Sequence, residues 1–102
     1  MTHRDEKFLN TIRRQPNCWW CGRRTPQGCD PAHILGVGSC GGHIDIPENV
    51  AALCWICHRV NSHNGRAPNA EDLFRCVAKR LGKTWQQCRQ RVWDLIREPK
   101  RA

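Results

Sequence analysis

The chain has 102 residues, a formal net charge of +8 and eight cysteines. A chain of this length supports one domain with a thin core, and no stretch is long or apolar enough to span a membrane. Residues 1–15 contain no apolar signal-peptide core, so a reducing cytoplasm is expected. There, paired cysteines hold metal more often than they hold each other, which weighs against a secreted disulfide framework.

In chain order, residues 4–14 place Phe8, Leu9 and Ile12 at helical spacing, with acids early and arginines late as the helix dipole favours. Pro16 is expected to stop that helix. The first Cys-x-x-Cys pair, Cys18 and Cys21, follows, and 23–30 reads as a loop. A strand is expected over Asp30–Val37, then a loop rich in glycine (Gly36, Gly38, Gly41, Gly42), then an antiparallel strand over Glu48–Leu53. From Cys54 the chain reads as helical, with Asn64-Gly65 as its stop. Pro68 opens a new unit. Asn69 is the expected N-cap of a helix whose apolar face is Leu73, Phe74, Val77 and Leu81, and Gly82 breaks it. Thr84 and Gln87 fit a capping box for a last helix, with Trp85, Cys88, Val92, Leu95 and Ile96 on one face. The final residues, EPKRA, read as a solvated tail.

Two Cys-x-x-Cys pairs of equal spacing, Cys18/Cys21 and Cys54/Cys57, point to a four-cysteine structural Zn²⁺. Four ionised cysteines around one zinc lower the charge by two, leaving +6, a surplus that favours a polyanionic partner. Cys76 and Cys88 fall on apolar faces and read as small core residues. Cys29 and Cys40 flank the first strand and its loop as free thiols or competing ligands. Trp19, Trp20 and Trp55 lie inside the cysteine pairs, where they are expected to pack over the small zinc core, with stacking on an exposed base as the alternative.

The segments CWWCG (18–22), DPAHI (30–34), GSCGG (38–42), PENVAALC (47–54) and CWICH (54–58) together resemble the HNH (His-Asn-His) endonucleases over about half the chain. The resemblance implies a treble-clef-like zinc core with a ββα-metal unit, and with the helices read above the expected fold is small α+β, adding an N-terminal helix and a C-terminal helical hairpin. The expected organisation is a nuclease core with the N-terminal helix over 1–66, and over 67–102 a helical pair packed on that core and able to contact DNA. His33 then matches the general base that activates water, Asn49 the residue that pins the loop between the strands, and His58 a ligand of the catalytic cation. That cation would be Mg²⁺ or another divalent ion such as Mn²⁺ or Ni²⁺.

This sequence departs from the family pattern at Ala32, where many relatives carry a metal-binding His, Asp or Glu. Asp30 shares the strand face of residue 32 and is the expected substitute ligand; a turn residue before Pro31 is the other reading. His63 stands five after His58, one residue off an α-helical face, and can serve as a ligand only if the helix loosens near Asn64-Gly65. Residues 77–97 faintly resemble a helix-turn-helix, and Lys79, Arg80, Lys83, Arg89, Arg91 and Arg97 could line a duplex backbone. The expected function is a metal-dependent DNA endonuclease in a bacterial host cell, of phage or mobile-element type. The alternatives are a zinc-stabilised DNA-binding module that does not cut, and a redox protein using its CWWC segment.

Overall fold

The computed structural model describes residues 4–35 and 44–97. The glycine-rich segment with Cys40 and His43, and the EPKRA tail, lie outside the described residues.

Helix α1 (Glu6–Arg13) starts where the Asp5 carboxylate accepts the Phe8 N–H, and it buries Leu9 and Ile12. Strand β1 (Asp30–His33) pairs antiparallel with β2 (Val50–Leu53), with Asp30 opposite Leu53 and His33 opposite Val50. A π-helical segment, α2 (Ile56–Asn61), follows the second cysteine pair and runs into a 3-10 turn at Ser62–Asn64. Helices α3 (Ala70–Leu81) and α4 (Trp85–Ile96) complete the α+β fold. Both carry full capping boxes, Asn69 with Asp72 and Thr84 with Gln87. Gly82 ends α3 in the left-handed conformation, as its place in the sequence predicts. Among the described residues no helix is long and apolar enough to cross a membrane.

β2 is buried on both faces and divides the core. Ala51 and Leu53 join Ala32, the cysteines Cys18, Cys54 and Cys57, and the inner faces of α3 and α4. Val50 and Ala52 join Leu9, Ile12 and Cys29 on the α1 side. The cysteine cluster is thus part of the same core as the last two helices. On α3 the buried set is Leu73, Phe74, Val77 and Ala78, while the expected core residue Leu81 is exposed in the last turn. The end of α1 meets the entry to β1 at Gly28, whose backbone has φ +96°. A Cβ there would stand 2.6 Å from the Arg13 carbonyl, which accepts the Cys29 N–H, so only glycine fits this approach.

Two boundaries differ from the sequence expectation. β1 stops at His33 because the chain turns onto Asn49: the Ile34 N–H still meets the Asn49 backbone carbonyl, but Leu35 N–H takes its side-chain oxygen. β2 begins at Val50, two residues late, because Pro47–Asn49 wind into a 3-10 turn closed by Asn49 N–H on the Ile46 carbonyl.

Candidate functional site

The first cysteine pair sits on a small hairpin. Cys18 N–H donates to the Arg23 carbonyl, Gly22 N–H returns to the Cys18 carbonyl, and Trp19 N–H ties the turn to Ala52 of β2. The second pair leaves β2 directly into α2. Their four sulfurs lie within 4.8 Å of one another, with Cys21 and Cys54 Sγ 3.8 Å apart. Tetrahedral zinc with sulfur at about 2.3 Å sets an S···S edge of about 3.8 Å, so the cluster fits a thiolate-bound ion of that size. Among the described residues it alone gathers three or more metal-ligating groups this closely.

Burial opposes ionisation of Cys18, yet backbone hydrogen bonds from Cys21, Cys54 and Trp20 outweigh it and lower the thiol to about 7. Burial and the neighbouring sulfurs of Cys54 and Cys21 push Cys57 well up. One thiolate therefore forms readily while Cys21 and Cys57 resist a second charge, which is the imbalance a bound dication removes. None of the seven described cysteines is in a disulfide. Cys29 is buried away from the cluster, beside Thr25 Oγ1 at 3.2 Å, and burial raises its pKa. Cys88 is fully buried, as expected, whereas Cys76 is only half-buried on α3.

Asn49 is fully buried at the junction between the strands. Its oxygen accepts the Leu35 N–H at 2.9 Å, and its Nδ2 donates to the Ile44 carbonyl at 3.0 Å. The amide thereby clamps the chain leaving β1 to the chain returning towards β2.

His33 meets a residue that the sequence reading missed. Its Nε2 is 2.6 Å from Oδ1 of Asp45, which is 4% exposed and whose Oδ2 accepts the Asp5 N–H at 2.8 Å. Where the carboxylate is ionised, Nε2 is the donor, and in the neutral ring Nδ1 is then the acceptor nitrogen. The sequence carries no signal for it: alternation places Asp45 on the face opposite Ile44 and Ile46, which alone reads as solvent-facing.

On the opposite face of β1, Asp30 Oδ2 lies 3.1 Å from His58 Nδ1. Arg59 also grips Asp30, with Nε on one oxygen at 2.9 Å and a terminal nitrogen on the other at 3.0 Å. Burial alone would raise the Asp30 pKa, but the hydrogen bonds from His58 and Arg59 hold it below its ordinary value. Ala32 packs inward against the main core, so no ligand could stand at that position without opening the core.

His63 joins this group through the helix type. In α2 the Ser62 N–H reaches both the Cys57 and His58 carbonyls, so the turn is wide enough to bring residues five apart onto one face. The His58 and His63 rings meet edge to face, with centroids 4.6 Å apart. The loosening the sequence requires thus occurs within 56–61, ahead of Asn64-Gly65.

The tryptophans do not share one role. Trp19 packs on both cores, with the Arg80 guanidinium 4.0 Å from its ring centroid. Trp20 and Trp55 instead stand 41% and 57% exposed, contrary to the expectation that they cover the zinc core. Among the basic residues expected to face a duplex, Lys83 binds Glu48 at 2.6 Å, and Arg89 and Arg97 lie near the rings of Trp85 and Trp93.

Comparison of the chain with protein-family models, with curated proteins and with solved structures gives no match.

Proposed function

We propose that this chain is a metal-dependent DNA endonuclease of the HNH type, built on a treble-clef-like zinc core with a ββα-metal unit. The observation that carries the reading is the Asn49 clamp. A fully buried amide bonding both ends of the inter-strand segment does what the middle residue of the resemblance requires. It holds that segment beside a histidine, His33, whose ring is oriented by a buried carboxylate.

In this reading Cys18, Cys21, Cys54 and Cys57 hold the structural Zn²⁺. His33 takes a proton from water at Nδ1, and Asp45 steadies the charge the ring then carries. His58, with Asp30 and His63, holds Mg²⁺ or another divalent cation such as Mn²⁺ or Ni²⁺. The carboxylate suits Mg²⁺ or Mn²⁺, and the imidazoles suit Ni²⁺ better than Mg²⁺. When bound, the cation supplies positive charge for the phosphate and its leaving oxygen. The net charge of +8 favours the polyanionic substrate.

A second reading, a zinc-stabilised DNA-binding module that does not cut, is favoured by one observation: Arg59 engages both oxygens of Asp30, the residue needed in place of a ligand at Ala32. Incubation of supercoiled plasmid with Mg²⁺, Mn²⁺ or Ni²⁺ separates the two. The nuclease nicks, and His33→Ala lowers the rate by about 10²–10⁴-fold. If no metal supports nicking, the module reading replaces it. Nicking that persists unchanged in His33→Ala removes His33 as the base.

A further inference from the structure

Each Cys-x-x-Cys segment turns one indole to solvent, Trp20 and Trp55. They adjoin in sequence Cys21 and Cys54, whose sulfurs are 3.8 Å apart, so the two segments that carry them meet at the cysteine cluster. The other indoles each have a guanidinium over the ring: Arg75 and Arg89 over Trp85, Arg97 over Trp93 and Arg80 over Trp19. Among the described residues no guanidinium covers Trp20 or Trp55 in this way.

Cations line a cleft beside each open indole. Trp20 borders a cleft of about 610 Å³ walled by Arg75, Lys79 and Arg80, one face of α3. The acid of that cleft, Asp72, is engaged by the Asn69 N–H in the helix cap. Trp55 borders a cleft of about 260 Å³ with Arg23 and Arg24. Lys79, Arg23 and Arg24 hold no carboxylate among the described residues, whereas Arg13, Arg59, Arg75 and Lys83 each do. Arg4, Lys7, Arg14, Arg66 and Arg91 are also without an ion pair there but line neither cleft.

An open aromatic face beside unneutralised cations suits a nucleotide whose base stacks and whose phosphate is screened, irrespective of base identity. Bases inside a duplex already stack on one another and cannot reach such a face without being unpaired. We infer that Trp20 and Trp55, with Lys79, Arg23 and Arg24, form a binding surface for single-stranded DNA. The substrate of the proposed nuclease is then DNA that carries an unpaired segment, an inference that rests on the nuclease reading for its meaning.

The test is equilibrium binding by the zinc-loaded full chain, in buffer without added divalent cation. Fluorescence anisotropy compares a short oligothymidylate with a blunt duplex of equal length. Trp20→Ala, Trp55→Ala and the matching phenylalanine variants are measured alongside, each checked for zinc content. The oligothymidylate should bind more tightly than the duplex. Each alanine variant should weaken that binding by about five- to a hundredfold, with phenylalanine restoring most of it. Preference for the duplex, tighter binding of an oligouridylate, or strand binding unchanged in both alanine variants would overturn the inference. Binding is read without cutting. A protein that shows this pattern but never nicks plasmid keeps the surface and loses the nuclease. A protein that nicks through His33 without strand preference loses the surface alone.

Discussion

Cys57 and His58 are neighbours in sequence, yet they belong to two groups of opposite character. The four-cysteine cluster is closed: its sulfurs converge, three of its residues are buried, and it is part of the main core. The group of Asp30, His58 and His63 is open. Its rings meet edge to face, its carboxylate is shared with Arg59, and its side chains do not converge as the sulfurs do. Saturated coordination suits permanence, while chemistry at a metal needs a vacant position. On the proposed reading, the contrast explains how one short helix can start in a structural site and continue into a reactive one.

The largest effect should come from the closed group. Replacing Cys54 with Ser, or removing the metal by chelation, should abolish the cooperative fold, because zinc binding worth about 10 kcal/mol rivals the whole stability of a small domain. Circular dichroism and elemental analysis check this together, and a folded chain without zinc would break the comparison. Next, Asp45→Asn should lower nicking by at least about a hundredfold and change its pH profile, since an amide can turn His33 to the wrong tautomer. Asn can still accept the Asp5 N–H, so the melting temperature should change little; an unaltered rate would reduce Asp45 to an anchor for α1.

A smaller change tests the open group itself. Arg59→Ala releases Asp30 and should lower the cation concentration for half-maximal nicking by about two- to fivefold, the worth of an exposed ion pair. No change would mean that Arg59 and the cation do not compete for Asp30. The smallest effect belongs to the ion pair of Glu48 and Lys83, which includes no residue of either group. Burial raises the Glu48 pKa, but Lys83 more than offsets this and holds it below its ordinary 4.5. That contribution is therefore present above pH 4.5 and lost as pH falls through the lower folded value. Lys83→Ala should cost about 0.5–1 kcal/mol at pH 7 in denaturant melts and nearly nothing in strong acid.

Much of the closed group was legible in the sequence because ligation to one ion demands fixed spacing, and the helix caps were legible because they use neighbours three residues apart. Asn69 and Thr84 start their helices where the sequence places them. Features set by distant partners were not legible. β1 ends early because Leu35 bonds to Asn49, fourteen residues on, and Asp45 gains its place from His33 and Asp5 together. Trp20 and Trp55 look alike in sequence to Trp19, and only packing separates the buried ring from the open ones. The π-helical turn has no local signature that a periodicity reading at 3.6 residues could detect.

That turn has a consequence for how the chain tolerates length changes. A π segment is an α-helix carrying one surplus residue, so the spacing between His58 and His63 can be edited without losing their shared face. Deleting one residue between them would convert the five-residue step into a four-residue step on a regular helix. The two imidazoles would remain neighbours, and the pair would be re-created in a shorter chain. Inserting one residue instead would have no such helical remedy. The separation of these histidines is thus elastic in one direction only.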